Sequence, residues 1–223
     1  MLACAGCLDG IDPAWQLDHD RIVAVRATPP HVSPGEVAIL DGLVAHKGGP
    51  TDVERPLLAT ASHAPGDLFL AVTDNLGTWE VVGPDATALA AARVTLGLDP
   101  GALVPLVVLM AFPDSNGNHL VADKTVWLGD SLPTPTLGAI TIGGVPPGAA
   151  IAVPPDVDVP LAIDVDPTWA VSWLTSCGTL HDDNEHAAFV HVLPKDRQQG
   201  ELGVVARDPV GGVDWQVWPI AVQ

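Results

Sequence analysis

Val159-Pro160-Leu161-Ala162-Ile163-Asp164-Val165 alternates branched apolar residues with proline, a small residue and a carboxylate. Successive side chains of an extended chain point to opposite faces. This stretch therefore predicts a strand with Val159, Leu161, Ile163 and Val165 inward and Pro160, Ala162 and Asp164 outward. Around it, strands are expected at residues 137–142, 151–153, 168–176, 186–193, 202–207 and 213–222, each bounded by Gly, Pro, Asp or Asn. Seven such segments, counting 159–165, are what one two-sheet antiparallel sandwich uses.

The preceding part of the chain reads the same way. Strands are expected at 21–27, 36–45, 57–61, 68–72, 79–82, 103–112 and 119–128, with Ser33-Pro34-Gly35 turning the chain between the first two. Asp85 stands before a run of strong helix formers, so a short capped helix over 86–93 is expected as a crossover. Gly129-Asp130-Ser131-Leu132-Pro133-Thr134-Pro135-Thr136 combines turn formers with two prolines, which places the boundary there. The expected organisation is an N-terminal tether over 1–20, a first domain over 21–129, a linker over 130–136 and a second domain over 137–223. Both parts close on a hairpin, turned by Asn116-Gly117 in one and Gly211-Gly212 in the other, as two copies of one domain type would.

Composition supports an all-β class. Apolar residues make up 48% of the chain and charged residues 16%, the reverse of a disordered composition. The 22 Gly and 22 Pro leave few stretches where a long helix survives. Nine Lys and Arg oppose 27 Asp and Glu, and the formal net charge of −18 repels phosphate backbones, so nucleic acid is excluded as a partner. No stretch approaches the roughly 20 apolar residues of a membrane-spanning helix. Of the three cysteines, Cys4 and Cys7 precede every strand, so Cys177 has no disulfide framework to join.

Trp173 at the centre of Val171-Ser172-Trp173-Leu174, followed by Gly200-Glu201-Leu202-Gly203-Val204-Val205-Ala206-Arg207-Asp208 and the closing hairpin, resembles a bacterial immunoglobulin-like domain over residues 137–223. Ala27-Thr28-Pro29-Pro30 and Ser33-Pro34-Gly35-Glu36 resemble the opening of such a domain in the first part. The resemblance implies two tandem immunoglobulin-like β-sandwiches. Antibody-type members also carry a cysteine pair joining the sheets and a tyrosine corner; this chain has no such pair and no tyrosine. Packing around Trp173 must then replace the disulfide. Ala5-Gly6 before Cys7 resembles the end of a bacterial lipoprotein signal, which implies a lipid anchor on Cys7, with Cys4 as second choice. The basic start and apolar run of an export signal do not precede it, which leaves a start further upstream or a chance run of small residues.

Catalytic signatures are missing: there is no Gly-x-Ser-x-Gly elbow or phosphate loop, and Cys177 with His181 lacks an orienting third group. An enzyme is not expected. Asp182 and Asp183, between His181 and His186, and Asp114 in the first closing turn are the candidate ligands for a cation, with calcium the ion suited to carboxylates. Asp114, Asn116 and Asn118 lack the terminal Glu of a calcium loop, since position twelve is Thr125. Trp215 and Trp218 lie an odd number of residues apart on one strand and so cannot both face inward, which makes them candidate partner-binding anchors. The expected function is a structural or adhesive module at a bacterial outer membrane, cell surface or periplasm, a stalk or accessory subunit touching other proteins of a surface assembly. A calcium- or carbohydrate-binding domain is the alternative.

Overall fold

A computed structural model describes residues 13–62 and 64–223. Cys4 and Cys7, the expected lipid anchors, lie outside the described residues. The first part of the chain forms β1 (Arg21–Thr28), β2 (His31–Val32), β3 (Val37–Ala45), β4 (Thr51–Glu54), β5 (Leu58–Ser62), β6 (Val72–Asn75), β7 (Thr78–Val82), β8 (Val104–Pro113) and β9 (His119–Leu128). One sheet has the order β1-β3-β7-β6, with β4 also on β3, and the other the order β2-β9-β8-β5. Pro29-Pro30 ends β1, because proline has no N–H to continue the ladder. The chain then crosses to the opposite sheet, where β2 runs parallel to β9.

The second part repeats this plan with β10 (Ile140–Ile142), β11 (Ile151–Val153), β12 (Asp158–Ile163), β13 (Ala170–Thr175), β14 (Thr179–His181), β15 (Ala187–His191), β16 (Gln199–Arg207) and β17 (Val213–Val222). Its sheets are β10-β12-β15-β14 and β11-β17-β16-β13, and β11 lies parallel to β17 as β2 does to β9. In each half the first strand is divided between the sheets, and the remaining strands follow the order that defines the immunoglobulin-like sandwich. The protein is all-β, two tandem immunoglobulin-like sandwiches. The single α-helix among the described residues, α1 (Ala86–Leu96), carries the chain from β7 to β8 and so from one sheet to the other. Asp85 caps it by accepting the Ala88 N–H at 2.8 Å, and Gly97 ends it at φ 66°, a left-handed conformation that glycine adopts without a Cβ clash.

Each sandwich has its own core, built by period-two alternation. Val104, Leu106, Val108, Met110 and Phe112 of β8 all point into the first core. Phe112 needs Gly42 opposite it, since a Cβ there would stand 2.6 Å from the ring. In the second core Val159, Leu161 and Ile163 are buried as their spacing predicts, packed with Trp173, whose exposure is 0% and whose indole N–H donates to the Glu185 carbonyl at 3.1 Å. Cys177 is buried beside them, its thiol donating to the Arg197 carbonyl at 2.8 Å. Burial pushes its pKa up, as expected of a structural thiol.

Two local expectations fail. Residues 68–72 were expected to form a strand, but Gly66–Ala71 is a 3-10 turn in which Leu68 and Ala71 are buried. An apolar run of that length fits either state, and the turn set by Pro65-Gly66-Asp67 decides it. The expected tether over 1–20 also needs correction for its described part. Leu17 is 2% exposed, Trp15 packs against the second core, and the main chain at Trp15 and Leu17 exchanges hydrogen bonds of 2.8 and 2.9 Å with Thr175 of β13. Residues 15–17 are therefore an extra edge segment of the second domain's sheet, held by apolar burial.

Candidate interaction surface

The two sandwiches lie face to face and not end to end, which corrects the expectation of a stalk. Val23, Ala24, Leu43 and Ala45 on the outer face of β1 and β3 form a third apolar cluster with Leu174, Val205 and Val213 of the second domain and with Leu17. Polar contacts frame it. Arg26 pairs with Asp41 at 2.8 Å and with Asp214 at 3.2 Å, and the Glu201 carboxylate accepts the Thr51 N–H at 2.9 Å. His31 contacts the Val210 carbonyl at 2.9 Å. Face-to-face packing of this kind sets the relative placement of the strand edges that flank it.

Trp215 and Trp218 do face opposite ways, and both are used internally. Trp218 is 3% exposed in the second core, while Trp215, on the outer face of the same strand, lies under the Arg26 guanidinium at 4.0 Å. Neither is an exposed anchor. The signal missing from the sequence was the second sheet covering β17 from outside. The acidic candidates are likewise engaged in local structure. The Asp114 carboxylate accepts the Asn116 N–H at 2.8 Å, the Asn118 N–H at 2.7 Å and the Asn118 side-chain amide at 3.0 Å, and these bonds hold its pKa below the usual carboxylate value. Asp182 turns the chain at φ 58° with its carbonyl on the Glu185 N–H, and the Asp183 carbonyl accepts the Trp173 N–H at 2.7 Å. These residues shape turns. Among the described residues no three His, Cys, Asp or Glu side chains converge as a cation site.

A groove of ≈ 540 Å³ lies between β1 and β9. Its walls are two strand edges and Arg207, Gly211 and Val213 of the second domain: among the described residues β1 pairs only with β3, and β9 pairs with β8 along its length but with β2 only at Trp127 and Leu128. Residues 119–126 thus pair on one side. A bulge where Ile22 and Ala24 break register aims Val23 out of β1 toward the second domain. Ile22, Val25, Leu120 and Val121 give the groove apolar walls, and Val121 is 64% exposed. Lys124 stands opposite the buried Val108 and so leaves the inner face of β9, where an apolar residue is the norm. Its ammonium reaches out to donate to the Gly211 carbonyl of the second domain. Burial, and then Arg207 nearby, lower its pKa, while Asp208 opposes them.

No protein-family model matches the chain, and no curated protein does. Among solved structures, the fibronectin(III)-like modules of Clostridium thermocellum CbhA match at 12% identity and TM-score 0.30, covering 90% of this chain and 94% of that one. The tandem Ig repeats of Dlar match at 15% identity and TM-score 0.31, covering 92% and 98%. Murine CEACAM1b matches at 14% identity and TM-score 0.30, covering 90% and 100%. At such scores the superposition carries no argument, and the sandwich assignment stands on the strand order and pairing described above.

Proposed function

We propose that the chain is a non-catalytic interaction module of a bacterial surface or periplasm, an accessory subunit whose partner adds an extended segment in the groove between β1 and β9. The observation that carries this reading is the pair of half-paired strand edges bordering one apolar groove. An edge strand offers main-chain donors and acceptors in register, and alternate apolar side chains of an added strand would meet Ile22, Val25, Leu120 and Val121. The acidic surface suits a module kept soluble outside the cytoplasm. No described helix is long and apolar enough to cross a membrane. In this reading an acyl chain on Cys7 supplies the membrane contact.

Val121→Arg tests the groove. The side chain is exposed, so the variant keeps the fold, and its bulk and charge block an added strand. Loss of a partner captured from cells by the native chain, together with slowed amide exchange at residues 21–25 and 119–126 in the native complex, is the expected result. Equal retention by Val121→Arg sinks the reading. Metabolic labelling with a fatty acid that disappears in Cys7→Ala tests the anchor, and labelling that survives there but disappears in Cys4→Ala moves it to the second choice.

A further inference from the structure

Four of the nine basic residues, Arg21, Arg26, Lys124 and Arg207, lie where the sandwiches meet, in a chain whose net charge is −18. Arg26 has two carboxylate partners there. Arg21 and Arg207 have none among the described residues. Arg21 donates to the carbonyls of Ala14 and Gln16, and Arg207 donates to the Ser172 hydroxyl at 3.3 Å and to the Val23 carbonyl at 3.0 Å. Both arginines line one small pocket of ≈ 90 Å³, with Ser172 and Asn184 on its wall. Asp183 also borders it, but forms no ion pair with either arginine.

Two half-buried like charges sharing a pocket are unfavourable without a counter-charge. Burial lowers the pKa of each, and for Arg207 the proximity of Arg21 adds to the effect. Guanidinium groups stay protonated even so, and each has more N–H donors than the carbonyl and hydroxyl acceptors use. Forked donors of this kind match the oxygen spacing of a carboxylate, phosphate or sulfate. We propose that the pocket between Arg21 and Arg207 is a binding site for one small oxyanion, which joins residues 15–21 and β1 to β13 and β16. Val23 and Arg207 border both this pocket and the groove, but Val121 borders the groove alone, so Val121→Arg tests the groove reading and leaves this pocket intact.

Binding is tested on the full chain by isothermal titration with inorganic phosphate, sulfate and acetate, each against sodium chloride at equal ionic strength. Saturable binding of at least one of the three, with Kd of about 1 mM or tighter, is expected. It should weaken at least tenfold in Arg207→Lys, which keeps the charge and loses the fork, and remain unchanged in Lys195→Gln, an exposed cation elsewhere. Amide shifts of Ser172 and Asn184 during titration of the native protein give a readout that needs no variant to fold. Absence of saturation with all three anions, or saturation without movement of those amides, overturns the site.

Discussion

The guanidinium of Arg26 sits 4.0 Å from the centroid of the Trp215 ring while its nitrogens hold Asp41 of its own sheet and Asp214 of the other domain. One side chain of β1 thus pairs with a neighbouring strand, spans the domain boundary and covers an indole that would otherwise face solvent. A planar cation on an aromatic face, partly withdrawn from water, contributes more than an exposed ion pair does.

Arg26→Ala should therefore destabilise the fold by about 2 kcal/mol, with a red shift in tryptophan emission as Trp215 is uncovered. Arg26→Lys should recover less than half of the loss, because an ammonium cannot stack and fork together. Denaturant unfolding followed by fluorescence measures both. Full recovery by lysine would reduce the contact to simple charge.

Leu17→Ala is expected to cost about 2 to 5 kcal/mol. Residue 17 lies before the first regular strand, where a free tether would tolerate any substitution. It is buried between the domains, however, beside Leu174 and Val205. A thermal melt within half a degree of the native chain would restore the tether reading for residues 13–20.

Trp173→Ala should cost about 3 to 5 kcal/mol, since it empties the centre of the second core and orphans the Glu185 carbonyl. Trp173→Phe keeps most of the volume and loses only the hydrogen bond, so it should cost less than half as much. Equal losses from the two variants would shift the weight from packing to the hydrogen bond.

His191 supplies a pH dependence. Asp158 at 2.6 Å on Nδ1 is the main cause of a raised pKa, and Asp156 at 3.3 Å on Nε2 adds to it, while desolvation opposes both. A group whose folded pKa is raised stabilises the fold fully below its unfolded value, about 6.5, and the contribution is lost as pH rises through the folded pKa. The imidazole resonance should titrate above that unfolded value in the native protein and fall toward it in Asp158→Asn. A midpoint at or below it in the native protein would contradict the pairing.

Calcium at millimolar concentration, compared with EDTA, should leave the melting temperature unchanged. The Asp114 carboxylate is already held by its own turn, and Asp182 and Asp183 serve a separate one. A rise of several degrees would mean that a ligand stabilises the native state, and would return these carboxylates to the list of ligands.

Much of the fold was legible because sandwich strands announce themselves one at a time. The period-two burial of residues 159–163, the Asp85 cap and the two closing hairpins all depend on neighbours a few residues away, and all appear as their local chemistry predicts. Short apolar runs do not carry that information, and Gly66–Ala71 became a turn because its preceding proline and glycine set the backbone. Asp114 reads as a ligand in sequence because a carboxylate that binds a cation and one that caps a turn have the same spelling, whereas Asp182 and Asp183 enter the fold through their main-chain carbonyls.

By itself the sequence determined the all-β class, two sandwiches and the absence of a recognisable catalytic signature, since alternation, turn residues and composition are local properties. Only the tertiary structure decided what lies between the sandwiches. Leu17, Val23 and Trp215 gave no sign of sharing one surface, and Arg21 and Arg207 stand far apart in the chain yet line one pocket. Contacts across such separations depend on how two sheets stack, and stacking is set by the shape of whole faces, which no local pattern encodes.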